Sequence, residues 1–270
     1  MLNLTDSEFM RLVTYMKSNY GINLEKKRVL IEGRLNSIVN QKGFTSYGDY
    51  MDYAFSDPSG NEAITLVNKL TTNHTYFLRE PAHFEFLKST VLPHIEKTVR
   101  DKDARIWCAA SSTGQEPYSL AMTIDEYFGP RKADWDLKIL ATDLDTEVLR
   151  TAKAGIYAED MLKDIPPAWK QKYFERYDES SYRVVEDIRD QIVYKKFNLM
   201  DKIVYKKPFD LISCRNVMIY FDNDTKNALI ERFYDCTKNG GYLFIGHAEN
   251  VSKDTRYKYV QPAVYRKMIK

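Results

Sequence analysis

The stretch RIWCAASSTGQEPYSLAMTIDEYF (residues 105–128) decides the fold class of this 270-residue chain. A short apolar run, typical of a buried strand, is followed by a turn-like segment with Gly114 and then by a helical pattern. The same kind of apolar run recurs in DLKILATD (136–143), FDLISC (209–214) and GGYLFIGH (240–247), with helical segments between the runs. Strands that alternate with helices predict an α/β fold with a parallel, doubly wound sheet.

The beginning of the chain has a different, helical character. Thr5 and Glu8 match the capping-box pattern of a helix start, and Gly21 supplies a stop for that helix. A second helix is expected from about Leu24 to Lys42, since apolar residues recur there at helical spacing. No strand pattern occurs in this part, so residues 1–72 are predicted to form an all-α domain.

One later segment, at about residues 155–196, does not fit the alternation of strands and helices. It contains two short strand-like runs, Tyr182–Val185 and Gln191–Tyr194, separated by charged residues. We expect an inserted helix and a small antiparallel element here. The predicted organisation is therefore the helical domain, a linker segment at 73–100, and a sheet domain at 101–270 that carries this insertion.

The composition excludes several classes of protein. Lys and Arg number 40 against 38 Asp and Glu, a balance that argues against a general nucleic-acid binder. No run approaches the roughly 18 apolar residues of a membrane span, and the chain does not start like a signal peptide, so no membrane insertion is expected. The three cysteines form no CxxC motif and the four histidines have no metal-ligand spacing. A cytoplasmic protein without a metal is predicted.

Ligands of open α/β sheets bind at the carboxyl ends of the strands, and two such ends carry candidate side chains. In the Ser111–Glu116 loop, Gly114 permits close backbone approach, whereas the carboxylate of Glu116 favours a ligand with a cationic group over a pyrophosphate. Asp143 ends the next strand, where an acid can accept hydrogen bonds from ribose hydroxyls. The alternatives are an ordinary strand–helix turn and a turn cap, and Asp145 is a competitor.

A third strand end and one connecting segment complete the candidate site. Arg215 and Asn216 directly follow FDLISC and precede Tyr220, but an ion-paired arginine with a core tyrosine is the simpler alternative. The segment Thr71–Glu80 joins the helical domain to the sheet, and from the residues alone a cleft lining and a linker helix are equally compatible with it. The polar side chains singled out in this segment are Asn73, Thr75 and Arg79.

Taken together, these segments resemble the chemotaxis receptor methyltransferase family (CheR type). The resemblance covers nearly the whole chain and implies a Rossmann-like methyltransferase domain with a small inserted β-subdomain, preceded by an all-α N-terminal domain. The segments that carry the resemblance are TNHTYFLREPAHF (72–84), IWCAASSTGQEPYSLAM (106–122), ILATDLDTEVLRTAKAGIY (139–157), CRNVMIYF (214–221) and GGYLFIGHAEN (240–250).

The resemblance implies S-adenosylmethionine as the cofactor and assigns a role to each matching position. Glu116 would face the methionine part and Asp143 the ribose. Arg79 and Tyr220 are the candidates for a direct catalytic role. Gln115 stands where an acid is common in the family. The other residues implied to line the cofactor site are Asn73, Thr75, Asn198, Leu199, Arg215 and Asn216.

The implied reaction is the methylation of glutamate side chains of chemotaxis receptors, with S-adenosylhomocysteine as the second product. The implied partner is the cytoplasmic helical region of these receptors, which the basic flank of the second helix, Lys27 and Arg34, would help to dock. A monomer is expected, and the inserted element is expected to be a weak receptor tether at best. The alternatives are a methyltransferase for another substrate such as RNA and a catalytically silent cofactor-sensing or protein-binding module.

Overall fold

The computed structural model describes residues 2–268 of the chain, which form two compact units. One unit contains the chain through His74 together with Tyr220–Lys226. The other contains Thr75–Ile219 and the chain from Asn227 onward. Among the described residues, no helix is both long and apolar enough to cross a membrane.

The first unit is built from helices. They are α1 (Asp6–Tyr20), α2 (Arg28–Gln41), α3 (Tyr47–Ser56) and α4 (Asn61–Leu70). The predicted capping box at the start of α1 is confirmed: the Thr5 side chain accepts a hydrogen bond from the Glu8 backbone, and the Glu8 carboxylate accepts one from the Thr5 backbone. The predicted start of α2 near Leu24 is wrong by a turn, because Leu24–Lys27 closes a separate turn through the Lys27 N–H and the Leu24 carbonyl, 2.9 Å apart.

The segment Tyr220–Lys226 belongs to this helical unit through polar contacts. The Tyr220 hydroxyl accepts a hydrogen bond from the backbone N–H of Thr72 at 2.8 Å and donates one to the Thr72 carbonyl at 3.0 Å. Asp222 forms an ion pair with Lys17 of α1 at 2.7 Å. Both hydrogen bonds of the Tyr220 hydroxyl, and the ion pair of Asp222, therefore lie within the helical unit.

The second unit contains the main sheet. Its strands are β1 (Ile106–Ala109), β2 (Ile139–Asp143), β6 (Ile192–Lys196), β7 (Phe209–Cys214), β8 (Thr237–Phe244), β9 (Lys258–Gln261) and β10 (Val264–Arg266). They are arranged in the order β6-β2-β1-β7-β8-β10-β9. The first five of these pair in parallel, and β10 is antiparallel to both β8 and β9. The predicted α/β class with a mostly parallel sheet is confirmed.

Helices connect and cover these strands. They are α5 (Ala82–Phe86), α6 (Leu92–Thr98), α7 (Gln115–Phe128), α8 (Thr146–Ala154), α9 (Pro167–Tyr173), α10 (Glu186–Arg189) and α11 (Asn223–Cys236). The centre of the packing on one side of the sheet is Trp107, which is fully buried and donates its indole N–H to Thr142 at 2.9 Å. Aromatic rings of Phe197, Phe209 and Phe233 surround it.

The inserted antiparallel element is formed by different strands from those expected. Its strands are β3 (Ile156–Ala158), β4 (Phe174–Arg176) and β5 (Ser181–Val184), in the order β3-β5-β4. Placing the run Gln191–Tyr194 in this element was wrong, because β6 pairs in parallel with β2 at the edge of the main sheet. A short apolar run fits either sheet, and its partner is chosen only when the chain folds.

The register of the central strands brings three loops to one edge of the main sheet. Ala109 at the end of β1 pairs with Thr142 of β2 on one side and with Cys214 of β7 on the other. The segments that follow these strands therefore leave the sheet side by side, as expected for parallel strands.

Candidate functional site

The loop after β1 is fixed by backbone hydrogen bonds to β2. The N–H of Ser111 donates to the Thr142 carbonyl at 2.8 Å, and the N–H of Ser112 donates to Oδ2 of Asp143, also at 2.8 Å. Gly114 has a φ of 98°, and a Cβ there would lie 2.8 Å from the Cβ of Ala152 in α8. The glycine is therefore required by its packing against α8, whatever the loop binds.

Asp143 holds two loops together. Its Oδ2 accepts from Ser112 and its Oδ1 accepts from the backbone of Asp145 at 3.1 Å. Burial raises the pKa of this carboxyl group, although the backbone N–H groups oppose the shift. A carboxylate has room for about four hydrogen bonds, so Asp143 keeps capacity for hydroxyl donors. Asp145, its competitor, instead caps α8 by accepting from Glu147 at 2.7 Å.

A buried arginine joins three segments of the sheet unit. The guanidinium of Arg215, 1% exposed, contacts Glu116 of α7 and Glu80 at 3.1 Å each. It also donates to the carbonyl of Arg79, and Glu116 accepts from the Ser213 hydroxyl at 2.6 Å. Burial opposes the charge on Arg215, but the two carboxylates prevail and raise its pKa. The ion-paired arginine foreseen as the simpler alternative is present, and both of its partners are acids of the candidate loops.

Asn216 is held by two glutamates. Its backbone has a φ of 59°, its N–H donates to Glu249 at 3.0 Å, and its side-chain amide donates to Glu80 at 3.3 Å. Glu80 and Glu249 were not among the residues predicted from the sequence, although both lie in segments that carry the family resemblance. An isolated acid in a polar loop has no spacing that marks it as functional.

Left-handed backbone conformations are concentrated in these segments. Seven residues other than glycine have a positive φ in the part of the chain that the structure describes. Five of them belong to the segments of the candidate site, and the remaining two are Lys102 and Ala263. Such conformations cost about 1–3 kcal/mol each and persist where the surroundings impose them, most often at functional sites. The five that belong to the segments of the candidate site are Leu78, Glu80, Ala110, Ser112 and Asn216.

The loop after β6 is the next one along the edge of the sheet. The side chain of Asn198 accepts from the backbone of Met200 at 3.0 Å, which forms a local turn. Arg232 of α11 donates to three successive carbonyls of this loop, those of Leu199, Met200 and Asp201. Asn198 and Leu199 therefore have a fixed backbone, and they follow the β6 strand that pairs with Asp143 of β2.

The residues predicted from the sequence divide between the two units. Two of them lie in the helical unit: Asn73, whose amide donates to Asn68 at 3.1 Å, and Tyr220, which contacts Thr72. The structure brings Glu116, Arg215 and Asn216 into one network with the backbone of Arg79. The predicted residues that lie in the sheet unit are Thr75, Arg79, Glu116, Asp143, Asn198, Leu199, Arg215 and Asn216.

Three side chains of types that bind metals also meet in this region. Ligand atoms of Glu80, His83 and His247 all lie within 4.8 Å of one another. Glu80 already has a cationic partner in Arg215, and burial together with the charge of Arg215 lowers the pKa of His83 to about 4. A metal ion would face that guanidinium, so we assign Arg215 as the counter-ion of Glu80. The absence of a metal stays a prediction.

The chemistry of these loops fits a ligand with hydroxyl groups and a positive charge. The hydroxyl oxygens of Ser111 and Ser112 are buried without a hydrogen-bond partner among the residues described. Two carboxylates, Glu80 and Glu116, face the single guanidinium of Arg215, and Asp143 adds a further acidic group. Hydroxyl donors and a cationic group on one ligand would complement this arrangement.

Comparison with known families decides the identity of the fold. Residues 73–266 match the model of the CheR methyltransferase SAM-binding domain, and residues 7–71 match that of the CheR methyltransferase all-alpha domain. The chain belongs to the CheR methyltransferase family. The predicted all-α domain before a Rossmann-like methyltransferase domain is thereby confirmed.

Individual relatives of this CheR-family chain align along most of their length. A chemotaxis protein methyltransferase of Borreliella burgdorferi is 41% identical, and its alignment covers 98% of this chain and 96% of the relative. A probable chemotaxis protein methyltransferase of Rhizobium etli is 38% identical, covering 90% and 92% respectively. One from Escherichia coli is also 38% identical, covering 93% and 87%. The predictions of an S-adenosylmethionine-dependent methyltransferase and of a role in chemotaxis are confirmed.

The buried His83 makes the stability of this CheR-family enzyme sensitive to acid. Because its pKa is lowered from 6.5 to about 4, the unfolded chain binds a proton that the folded protein does not bind between these values. Stability therefore falls as the pH is lowered through this window, by about 2 kcal/mol between pH 7 and pH 5. Urea unfolding of wild type and His83→Gln at both pH values measures this loss of stability. The loss in the variant should be smaller than that in the wild type by about 2 kcal/mol.

The exposed neighbour His247 provides the matched control, since it lies in the same cluster without being buried. His247→Gln should keep most of the pH dependence of the wild type, because burial and Arg215 lower the pKa of His83 more than His247 does. An equal loss of stability in wild type and in His83→Gln would contradict the assignment of His83 as a neutral buried group.

Proposed function

We propose that this enzyme transfers a methyl group from S-adenosylmethionine to glutamate side chains in the cytoplasmic helical region of chemotaxis receptors. The products are glutamate methyl esters and S-adenosylhomocysteine. The observation that carries the proposal is the network of Glu80, Arg215 and Glu116 at the strand ends, in a chain whose two parts both match the family. The receptor substrate is the known role of this family.

The proposed roles of individual residues follow the family resemblance and the contacts above. Asp143 binds the ribose hydroxyls, and Glu116 faces the methionine part. Two carboxylates around one guanidinium leave a net negative charge beside Glu116, which favours a cationic ligand. Asn198 and Leu199 flank the adenine. The remaining residues proposed to contact the cofactor are Asn73, Thr75, Arg79, Arg215 and Asn216.

The mechanism needs positioning more than acid–base chemistry. When bound, S-adenosylmethionine supplies an electrophilic methyl group on a sulfonium. The attacking glutamate has an ordinary pKa of about 4.3 and is ionised at neutral pH, so the enzyme needs no general base. Its residues align the carboxylate and exclude water from it. We propose that Arg79 or Tyr220 orients the carboxylate by hydrogen bonding. The role is positioning and not activation, because too tight an ion pair would weaken the carboxylate as a nucleophile.

The contact with the receptor involves α2 less than its sequence suggests. Arg34 donates to the carbonyls of Lys69 and Thr71 at 3.3 and 2.9 Å, so it has a structural partner within the helical unit. Lys27, at the start of α2, is exposed and available to an acidic partner. The inserted element, with strands of three or four residues, is proposed as a weak receptor tether at best.

The proposed reaction predicts base-labile label on receptors. Purified enzyme, incubated with receptor membranes and cofactor labelled in the methyl group, should transfer label that mild alkali releases as methanol. Receptors with glutamine in place of the methylated glutamates are the control and should stay unlabelled. Label on RNA would favour the alternative substrate. Binding of S-adenosylhomocysteine without any transfer would favour a silent cofactor-sensing module.

Cofactor affinity should depend on Asp143. Losing a hydrogen bond to a charged acceptor costs about 1.5–3 kcal/mol, so Asp143→Ala should weaken S-adenosylhomocysteine binding roughly ten- to a hundredfold. Calorimetry measures it. The control is Asp145→Ala, which removes the cap of α8 and should lower stability by about 0.5–2 kcal/mol with little effect on affinity. Unchanged affinity in the Asp143 variant would remove this residue from the site.

Turnover should depend on Arg79. We expect Arg79→Ala to lower kcat at saturating cofactor by about 100-fold, the usual effect of losing one positioned donor, with an intact fold by circular dichroism. Single-turnover methylation gives the rate. In the same assay Tyr220→Phe tests the second candidate, whose hydroxyl also contacts Thr72. Lower stability with unchanged kcat would assign Tyr220 to structure alone, and wild-type turnover without Arg79 would exclude its catalytic role.

A further inference from the structure

We propose that Glu249 is a positioning residue, which fixes Asn216 and the backbone after β7 in the conformation that binds the cofactor. The proposal rests on the proposed function of Asn216 as a cofactor contact, and the role it assigns to Glu249 acts through the backbone around Asn216.

The first observation is the set of hydrogen bonds to the Glu249 carboxylate. Its Oε2 accepts from the backbone N–H groups of Gly246 at 2.6 Å and Asn216 at 3.0 Å. Its Oε1 accepts from the N–H of Ile219 at 3.2 Å. One side chain therefore ties the loop after β7 to the loop after β8.

The second observation is the confinement of Asn216 itself. Its φ of 59° is a left-handed backbone conformation that residues other than glycine adopt at a cost. A Cβ at Gly246 would lie 2.9 Å from the Asn216 N and closer still to its side-chain amide. With Gly246 on one side and Glu80 accepting from the amide at 3.3 Å, Asn216 has little freedom once Glu249 holds its N–H.

The third observation concerns the charge of Glu249. Burial raises the pKa of its carboxyl group, and the partners that oppose this shift are backbone N–H groups. Within residues 2–268, the hydrogen bonds to this carboxylate come from the backbone. A glutamine there would direct an NH₂ group at one of these N–H donors, because an amide has a single acceptor oxygen.

These observations together indicate preorganisation. A loop that is held in its bound conformation before the ligand arrives loses less entropy on binding, and affinity is correspondingly higher. Glu249 contributes this order to Asn216 through the backbone, while Glu80 orients the side chain of the same residue.

The test is a double-mutant cycle between Glu249→Gln and Asn216→Ala, read out as S-adenosylhomocysteine affinity by calorimetry and thermal stability of the protein without ligand. Glu249→Gln should weaken binding about tenfold, and Glu249→Asp, which keeps the charge, should restore part of the loss. In the double variant, the affinity should equal that of Asn216→Ala alone, since residues that act as one unit are not additive. The KM for the cofactor should rise while that for the receptor stays unchanged.

Asp210 provides the matched control at the opposite end of β7. It is also a buried carboxylate with a raised pKa, and it accepts from the backbone of Arg105 and from Lys238, each at 2.7 Å. Asp210→Asn should lower stability and leave cofactor affinity within about twofold.

Two results would overturn the proposal. In the first, Glu249→Gln lowers stability but leaves the affinity for S-adenosylhomocysteine unchanged, as expected for the Asp210 variant. In the second, the affinity loss of the double variant equals the sum of the losses of the Glu249 and Asn216 single variants. Should Glu249→Gln fail to fold, the cycle is run with Glu249→Asp, and the same criteria apply. Wild-type protein that does not bind S-adenosylhomocysteine would contradict the proposed function as well, and this separates the failure of the function from the failure of the positioning role.

Discussion

The ion pairs of the buried Arg215 are the interaction on which the candidate site depends. Within the described part of the chain, Arg215 is the only cation paired with both Glu80 and Glu116, so its loss would leave two largely buried acids without their partner; removing one member of a buried pair costs about 3–5 kcal/mol. Glu80 comes from the segment before α5, Glu116 from the start of α7 and Arg215 from the end of β7. The attraction of both carboxylates to the Arg215 guanidinium therefore holds these segments in one arrangement. A buried pair of this kind adds little net stability, because desolvation offsets most of the attraction between the charges.

Around this pair, acidic side chains organise the loops by binding backbone N–H groups. Asp143 joins the loops after β1 and β2, and Glu249 joins the loops after β7 and β8. Charge-assisted hydrogen bonds of this type are about twice as strong as neutral ones. They offset the cost of the left-handed residues in the same loops, so that strained backbone persists where a ligand requires a defined surface.

The arrangement also suits the chemistry of a methyltransferase of this family. A cofactor with a positive charge is attracted by a site in which carboxylates outnumber guanidinium groups, whereas a phosphate-rich ligand is repelled by it. The nearly balanced charge of the whole chain fits a protein substrate better than a nucleic acid. The acids hold the loops, and in the proposed function they also favour a cationic ligand.

The sequence by itself determined the strands and helices whose pattern is local. The apolar runs at 106–109, 139–143 and 209–214 lie on the strands expected, and the capping box marked the start of α1. The motif segments identified the family and with it the candidate residues at the strand ends. These features were readable because strand and helix periodicities, caps and motifs involve residues that are close along the chain.

Only the tertiary structure decided which sheet receives the run at Ile192–Lys196 and which acids complete the site. Glu80 meets Arg215 across 135 positions of sequence, and Glu249 meets Asn216 across 33. Pairings over such distances have no periodicity to reveal them, because the partner of a charge or of a strand edge is set by the packing of the whole sheet.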